Sequence, residues 1–216
     1  YYTEYDPERA NTLLDEMGLK WDKDHKYRLR PDGKVLTIIL EYAPITKYEK
    51  IGALVGEYWG RVGLKVVLKE VSTSLWIQRG NSNDRDVGAW HVVGRSHLLF
   101  QPPWNLAPLS SSGVPWAQWH DSGGKTGEEP PQIIKDLFKL VDEWRTTVPG
   151  SKEYIELGKK VLGMNVKNLF SIGTVGLIPT PLIVRDNLKN IPEKAVWSPA
   201  FWHWLPYQAD QWYFEK

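Results

Sequence analysis

The sequence predicts an α/β fold, and three segments near the start of the chain carry that prediction. Residues 35–40 form an apolar, β-branched run that is typical of a strand covered on both faces. Apolar positions from Ile51 to Val62 then recur at helical spacing, and a second strand-like run covers residues 64–71. A strand, a crossover helix and another strand predict a βαβ unit with parallel strands.

A helix precedes this unit, and a helix and a third strand follow it. Asp6 and Pro7 have the residue types of a helix cap and a first helical position, and Gly18 ends the apolar pattern. Residues 72–74 predict the cap of a short helix, and residues 86–93 predict a strand. This alternation extends the α/β prediction over the first 93 residues.

Periodicity disappears over residues 94–129, which are rich in Pro, Gly and Ser but contain three tryptophans. Disordered segments contain few large aromatic residues, so the tryptophans argue against disorder. A long loop without regular structure inside a compact domain is typically functional when it is ordered. We therefore expect this stretch to contribute to a site.

The rest of the chain divides into a helical part and an extended part. One amphipathic helix follows Pro130-Pro131, a second begins at the cap Ser151, and residues 172–178 predict a strand. The remaining residues contain five prolines and predict extended segments. We expect an α/β ligand-binding lobe over residues 1–178 and a segment over residues 179–216 that packs on another domain. The abrupt start without an initiator Met and the aromatic-rich end indicate a piece of a longer protein.

Composition excludes several functional classes. Lys plus Arg total 27 and Asp plus Glu total 26, so the net charge of +1 gives no field that would gather nucleic acid. The absence of cysteine removes disulfides, thiolate nucleophiles and Cys-based metal sites. No apolar run is long enough to span a bilayer, and no secretion signal is evident.

Catalytic motifs are missing as well. The sequence contains no Gly-x-Ser-x-Gly elbow, no phosphate-binding P-loop and no dinucleotide fingerprint. Its histidines lack the i, i+4 spacing of a helical metal pair; they are His25, His91, His97, His120 and His203. We predict no catalytic residue, no metal and no cofactor.

The 12 tryptophans are the unusual feature of the composition. An indole can serve as core bulk or as a platform on which a ligand stacks. Since ligands bind at the carboxyl ends of strands in open α/β sheets, we predict a ligand cleft that residues of the long loop line. The predicted lining is Trp90, Trp104, Trp116 and Trp119, with polar contributions from Arg95, Gln101, Asn105 and Gln118. The alternative, that these indoles fill gaps beneath the loop, stays open, above all for Trp90.

Four segments follow one another in an order that has a family resemblance. They are residues 5–10 (Tyr-Asp-Pro-Glu-Arg-Ala), 31–34 (Pro-Asp-Gly-Lys), 59–66 (Trp-Gly-Arg-Val-Gly-Leu-Lys-Val) and 86–90 (Asp-Val-Gly-Ala-Trp). In this order they resemble the oligopeptide/dipeptide/nickel class of ABC-transporter solute-binding proteins, over nearly the whole chain. The resemblance implies the C-terminal lobe of a two-lobed, class II periplasmic binding protein that is not an enzyme.

The resemblance also implies partners and a location. The lobes of such proteins close on a ligand and present it to ABC permease subunits in the membrane. The partners would be that permease and the N-terminal lobe of the same protein, on which residues 179–216 would pack, and residues 190–193 look like the crossing point. The implied location is periplasmic or extracellular, with membrane association through the transporter or a lipid anchor.

The ligand class depends on the polar residues that follow the third predicted strand. Peptide-binding members typically have an Asp followed by an aromatic residue, shortly after the third strand, that holds the peptide α-amino group. Here residues 87–120 contain no acid, and an amine buried without an acidic partner is unfavourable by several kcal/mol, roughly. We therefore predict an oligosaccharide ligand, with an oligopeptide as the alternative and a carbohydrate-active enzyme lobe as a third possibility.

Overall fold

The computed structural model describes residues 4–90, 113–175, 181, 183–194 and 209–215. These residues belong to two compact units. The first contains residues 4–90 and 113–136, and the second contains the described residues from 137 onward. A parallel sheet with connecting helices lies in the first unit, which confirms the predicted α/β class.

Helix α1 spans Pro7–Glu16 and begins as the sequence predicts. The Asp6 carboxylate accepts a hydrogen bond from the Arg9 backbone N–H at 2.8 Å, which satisfies one of the free donors at the helix start. Gly18 follows the helix with a φ of +78°, a conformation that glycine adopts without strain. The predicted cap and stop are both confirmed.

The sheet of the first unit has three parallel strands in the order β2-β1-β3. They are β1, Thr37–Tyr42, β2, Lys65–Glu70, and β3, Val87–Ala89. Helix α2, Glu49–Gly60, connects β1 to β2, and helix α3, Thr73–Asn81, connects β2 to β3. The predicted βαβ unit is confirmed.

Strand β1 begins at Thr37, whereas the apolar run predicted a start at residue 35. Val35 forms an isolated antiparallel bridge with Leu29, and the Leu36 N–H donates to the carbonyl of Arg28 at 2.8 Å. The start of the apolar run is therefore paired with the preceding segment of the chain. The parallel ladder begins at Thr37, opposite Lys65.

Apolar side chains cover both faces of the sheet, as the pattern of β1 predicts. One cluster consists of Leu40, Tyr42 and Ala89 and includes partly buried neighbours from α2. Because alternate residues point to opposite faces, Ala43 lies in a different cluster, with Val71 and with Trp76 of α3. This second face carries the tryptophans of the candidate site.

A buried arginine ties three parts of the first unit together. Arg28 is fully buried, and its guanidinium donates to the Asp15 carboxylate at 2.5 Å and to the carbonyls of Leu19 and Val62. The same guanidinium lies 4.5 Å from the ring centroid of Trp21. These contacts join α1, the bridged segment around Trp21 and the end of α2.

Helix α4, Val114–Asp121, lies where the sequence pattern indicated no regular structure, so that expectation is wrong. The helix has only two buried residues, Val114 and Ala117, and is shorter than the window in which periodicity is detectable. Residues 94–112 of the predicted loop lie outside the described residues. The same holds for residues 91–93 of the third predicted strand, which is observed as Val87–Ala89.

Two further helices lie at the predicted places, and residues 132–136 of the first helix belong to the first unit while the rest of both helices belongs to the second unit. Helix α5 spans Gln132–Thr146 and helix α6 spans Lys152–Asn168, with the Ser151 hydroxyl as its cap. A Cβ added at Gly158 would lie 2.8 Å from the Trp144 ring, so glycine at this position lets the helices pack closely. None of the helices in the described ranges is both long and apolar enough to cross a membrane.

The end of the chain differs in part from the prediction. Residues 172–175 form no strand, and the other residues of the predicted strand over 172–178 lie outside the described residues. Strands β4, Leu188–Lys189, and β5, Tyr213–Phe214, pair in antiparallel fashion. The boundary at residue 178 and the packing of residues 179–216 on another lobe remain predictions.

Candidate functional site

The carboxyl ends of the three parallel strands meet at one edge of the sheet. Tyr42 at the end of β1 pairs with Glu70 on one side and with Ala89 on the other. Ligands of α/β sheets bind beyond such an edge. The candidate site therefore consists of the side chains at this edge, beginning with Trp90, which directly follows β3.

Trp90 is half-buried and belongs to a pair of tryptophans. Its ring centroid lies 4.4 Å from that of Trp76, with 32° between the ring planes. The side chain packs against the cluster of Ala43, Val71 and Trp76. Trp90 thus packs on the protein through part of its surface and keeps another part accessible.

Trp76 belongs to the candidate site through its contact with Trp90, and the sequence analysis did not name it. It occupies an ordinary apolar position of α3 and is only 8% exposed. Its indole N–H donates to the backbone carbonyl of Glu41 at 3.3 Å, which fixes α3 to β1. A tryptophan on an amphipathic helix predicts core packing, so only its nearness to Trp90 in space identifies it.

Arg85 lies against the same indole. Its guanidinium carbon is 3.8 Å from the Trp76 ring centroid, and its Nη1 donates to the Trp76 carbonyl at 3.1 Å. A Cβ added at Gly80 or Gly88 would lie within 2.8 Å of the guanidinium, so the two glycines form a slot for it. Burial lowers the pKa of the Arg85 guanidinium, and the Glu41 carboxylate opposes that shift. An arginine stays charged near neutral pH in any case.

Glu41 is a fully buried carboxylate on the same face of the sheet. Its Oε2 accepts a hydrogen bond from Arg79 Nε at 2.9 Å, and its Oε1 lies 3.5 Å from Lys69 Nζ. Arg79 also pairs with Asp84 at 3.0 Å. Because a buried charge is tolerated only when it is paired, these cations explain how Glu41 occupies the sheet.

A cleft of about 340 Å³ opens beside the ends of β1 and β2. It is lined by Tyr42, Pro44, Lys47, Glu49, Lys50 and Glu70. Burial raises the pKa of the Tyr42 phenol, and the carboxylates of Glu70 and Glu49 add to the shift. The cleft therefore offers two ammonium and two carboxylate groups beside a neutral phenol.

Three further predicted site residues lie on α4. Trp116 and Trp119 are half-buried, and Gln118 is exposed. Residues three apart are neighbours on a helix surface, so Trp116 and Trp119 project from the same side of α4. The Lys135 ammonium lies 5.2 Å from the Trp119 ring centroid, which places the first turn of α5 beside this indole. Whether these side chains line a cleft together with Trp90 remains a prediction.

The other four predicted site residues, Arg95, Gln101, Trp104 and Asn105, lie outside the described residues. Within the described ranges, no group of three or more His, Asp or Glu side chains is placed to hold a metal ion. His120 Nδ1 lies 3.2 Å from the carboxylate of its neighbour Asp121, at the exposed end of α4. The absence of a catalytic residue and of a metal stays a prediction for the whole chain.

Comparison with known proteins gives a consistent assignment. The profile of the bacterial extracellular solute-binding proteins, family 5 Middle, matches residues 1–116. The oligopeptide-binding protein OppA of Lactococcus lactis subsp. cremoris (strain SK11) is 26% identical over 184 residues, which is 76% of this chain. The chain spans 30% of the length of that relative.

Two solved structures illustrate the match in three dimensions. An oligopeptide-binding protein OppA superposes with a TM-score of 0.74 at 31% identity, over 99% of this chain and 36% of its own length. A periplasmic oligopeptide-binding protein from Thermotoga maritima, solved with bound mannohexaose, superposes with a TM-score of 0.55 at 20% identity, over 79% of this chain and 30% of its own.

Proposed function

The chain belongs to the bacterial extracellular solute-binding proteins, family 5, and from this membership we propose that it is part of a protein that captures an extracytoplasmic solute for an ABC importer. The family is one of binding proteins and not of enzymes. We place an oligopeptide first among the ligands. A match at 31% identity along 99% of the chain to an oligopeptide-binding protein is the observation that carries this choice.

The charges at the sheet edge suit such a ligand. An oligopeptide has an ammonium group at one end and a carboxylate at the other. The cleft beside β1 and β2 carries Lys47 and Lys50 together with Glu49 and Glu70. Partners of both signs therefore lie within one concave surface, which supports recognition of a ligand with both charges.

An oligosaccharide is the second candidate, and one feature of the sequence favours it. Residues 87–120, which include Trp90, Trp116 and Trp119, contain no Asp or Glu. An indole face binds a neutral ring by stacking and needs no ion pair. The Thermotoga maritima protein with bound mannohexaose has an oligopeptide-binding name, so a name of this kind does not by itself separate the two ligands.

The architecture of the whole protein completes the proposal. Residues 1–178 would form one ligand-binding lobe, and residues 179–216 would pack on a second lobe of the same protein. The two lobes would close on the solute and present it to permease subunits in the membrane. The site of action would be the periplasm or the cell surface.

A thermal-shift comparison tests this function. The intact protein is heated with alanine pentapeptide, with mannohexaose and with neither, at ligand concentrations up to the millimolar range. A bound ligand at 100 times its dissociation constant stabilises the folded state by about 2.7 kcal/mol. We expect a concentration-dependent rise in melting temperature with the peptide. A rise in melting temperature with mannohexaose alone would select the oligosaccharide. No rise at any concentration of either ligand would reject capture of these solutes.

A further inference from the structure

Arg85, Trp76 and Trp90 form a layered stack at the carboxyl end of β3. The Arg85 guanidinium carbon lies 3.8 Å from the Trp76 ring centroid, and the Trp90 centroid lies 4.4 Å from it. Two groups this close to the centre of one ring cannot share a face without overlapping. Trp76 is therefore the middle layer, with the guanidinium on one face and the Trp90 ring on the other.

Trp76 and Arg85 are fixed by contacts that do not involve Trp90. The Trp76 indole N–H donates to the Glu41 carbonyl, and Arg85 Nη1 donates to the Trp76 carbonyl. The guanidinium also sits in the slot between Gly80 and Gly88, where any Cβ would collide with it. The stack is thus anchored to β1, α3 and β3, and its half-buried member Trp90 directly follows β3 at the carboxyl edge of the sheet.

We propose that Trp76 and Arg85 are positioning residues that hold the Trp90 ring in one orientation at the edge of the sheet, ready to receive the solute. This inference rests on the proposed function, because it assigns Trp90 a place in solute capture. The physical benefit is preorganisation. A ring that is already ordered loses no rotational freedom when a ligand settles on it, which is worth about two- to tenfold in affinity.

The chemistry of the stack defines what Trp90 receives. The Arg85 guanidinium and the Trp90 ring lie on opposite faces of Trp76, so a ligand that settles on Trp90 contacts an indole surface and not that guanidinium. Such a surface suits an apolar side chain, a peptide plane or the C–H face of a sugar ring. The stack therefore contributes shape and order, and the charged recognition falls to other groups at the sheet edge.

Fluorine NMR of the intact protein labelled with 5-fluorotryptophan tests the positioning role without a ligand. The variant Trp90→Phe identifies the Trp90 resonance, and Trp59→Phe identifies that of Trp59 on α2 as a control. In Arg85→Met and Arg85→Lys we expect the Trp90 resonance to move toward the position of an exposed indole, while the Trp59 resonance stays. Lysine does not rescue, because it keeps the charge but lacks the planar group that fills the slot. Trp76→Phe provides a second route should either arginine variant fold poorly.

Affinity is then measured for the same variants with alanine pentapeptide and mannohexaose. Whichever probe binds the wild type should bind Arg85→Met about two- to tenfold more weakly, with far-UV circular dichroism unchanged. An unmoved Trp90 resonance in every folded variant would overturn the positioning role, and so would full affinity in a variant whose Trp90 resonance has moved. If neither probe binds the wild type, the proposed capture of these solutes fails, and the resonances alone decide whether Trp76 and Arg85 position Trp90.

Discussion

Replacement of Glu41 by Gln removes a buried negative charge from the sheet. The Glu41 side chain is 0% exposed, whereas those of its partners Arg79 and Lys69 are 25% and 47% exposed. Removing one member of a fully buried pair is unfavourable by about 3–5 kcal/mol. Here both cations can turn toward water, so the loss is closer to that of a charged hydrogen bond. We expect Glu41→Gln to lower the free energy of unfolding by about 2–3 kcal/mol.

A matched control separates burial from the loss of a carboxylate as such. Glu129 is 66% exposed and pairs with Lys135 on the surface, so Glu129→Gln should lower the free energy of unfolding by less than about 1 kcal/mol. Urea unfolding followed by far-UV circular dichroism gives both values from the shift in midpoint. Equal effects for the two variants would show that Glu41 does not hold α3 to the sheet through a buried charge.

Three further perturbations test the fold around the site. Gly63→Ala places a Cβ 2.6 Å from the Arg28 side chain, at a backbone φ of +87°. It should therefore destabilise the fold far more than Gly18→Ala, where φ is +78° but no atom lies within 4 Å of the added Cβ. Equal urea midpoints for the two variants would contradict the close packing around Gly63. Asp6→Ala removes the cap of α1 and should lower the free energy of unfolding by about 1 kcal/mol, and an unchanged urea midpoint would show that the cap is not needed. Burial raises the pKa of Tyr154, whose hydroxyl makes no hydrogen bond within the described part of the chain. The contribution of the neutral Tyr154 phenol to the free energy of unfolding is therefore fully present below the unfolded-state pKa of about 10 and is lost as the pH rises above that value. Tyr154→Phe should be at least as stable as the wild type at pH 7, and its free energy of unfolding should fall less as the pH is raised. A clearly lower free energy of unfolding at pH 7 would reveal a hydrogen-bond partner for the hydroxyl.

The helices and strands of the first unit could largely be predicted from local sequence. Capping chemistry at Asp6, apolar spacing in α2 and the β-branched run of β1 each determine structure through near neighbours, and each prediction is confirmed. The start of β1 was predicted wrongly because Val35 pairs with Leu29, a tertiary contact that no local pattern shows. Helix α4 was missed because eight residues with two buried positions give no detectable period.

Less of the candidate site than of the fold could be predicted from the sequence. The sequence places Trp90 directly after a strand, and the structure shows it at the carboxyl edge of the sheet, whereas its part in ligand binding stays a prediction. Trp76 and Arg85 could not be predicted, because a helical tryptophan and a loop arginine look like ordinary core and surface residues. Their significance comes from a close approach that Gly80 and Gly88 permit, and that approach exists only in three dimensions.

Titration calorimetry of the intact protein tests the central claim most directly. Alanine pentapeptide is titrated into the ligand-free protein, and the titration is repeated in the presence of excess mannohexaose. Solute capture with a peptide preference predicts a saturable heat of one-to-one stoichiometry that mannohexaose does not abolish. No saturable heat with alanine pentapeptide, for a protein shown to be folded and ligand-free, would contradict capture with a peptide preference.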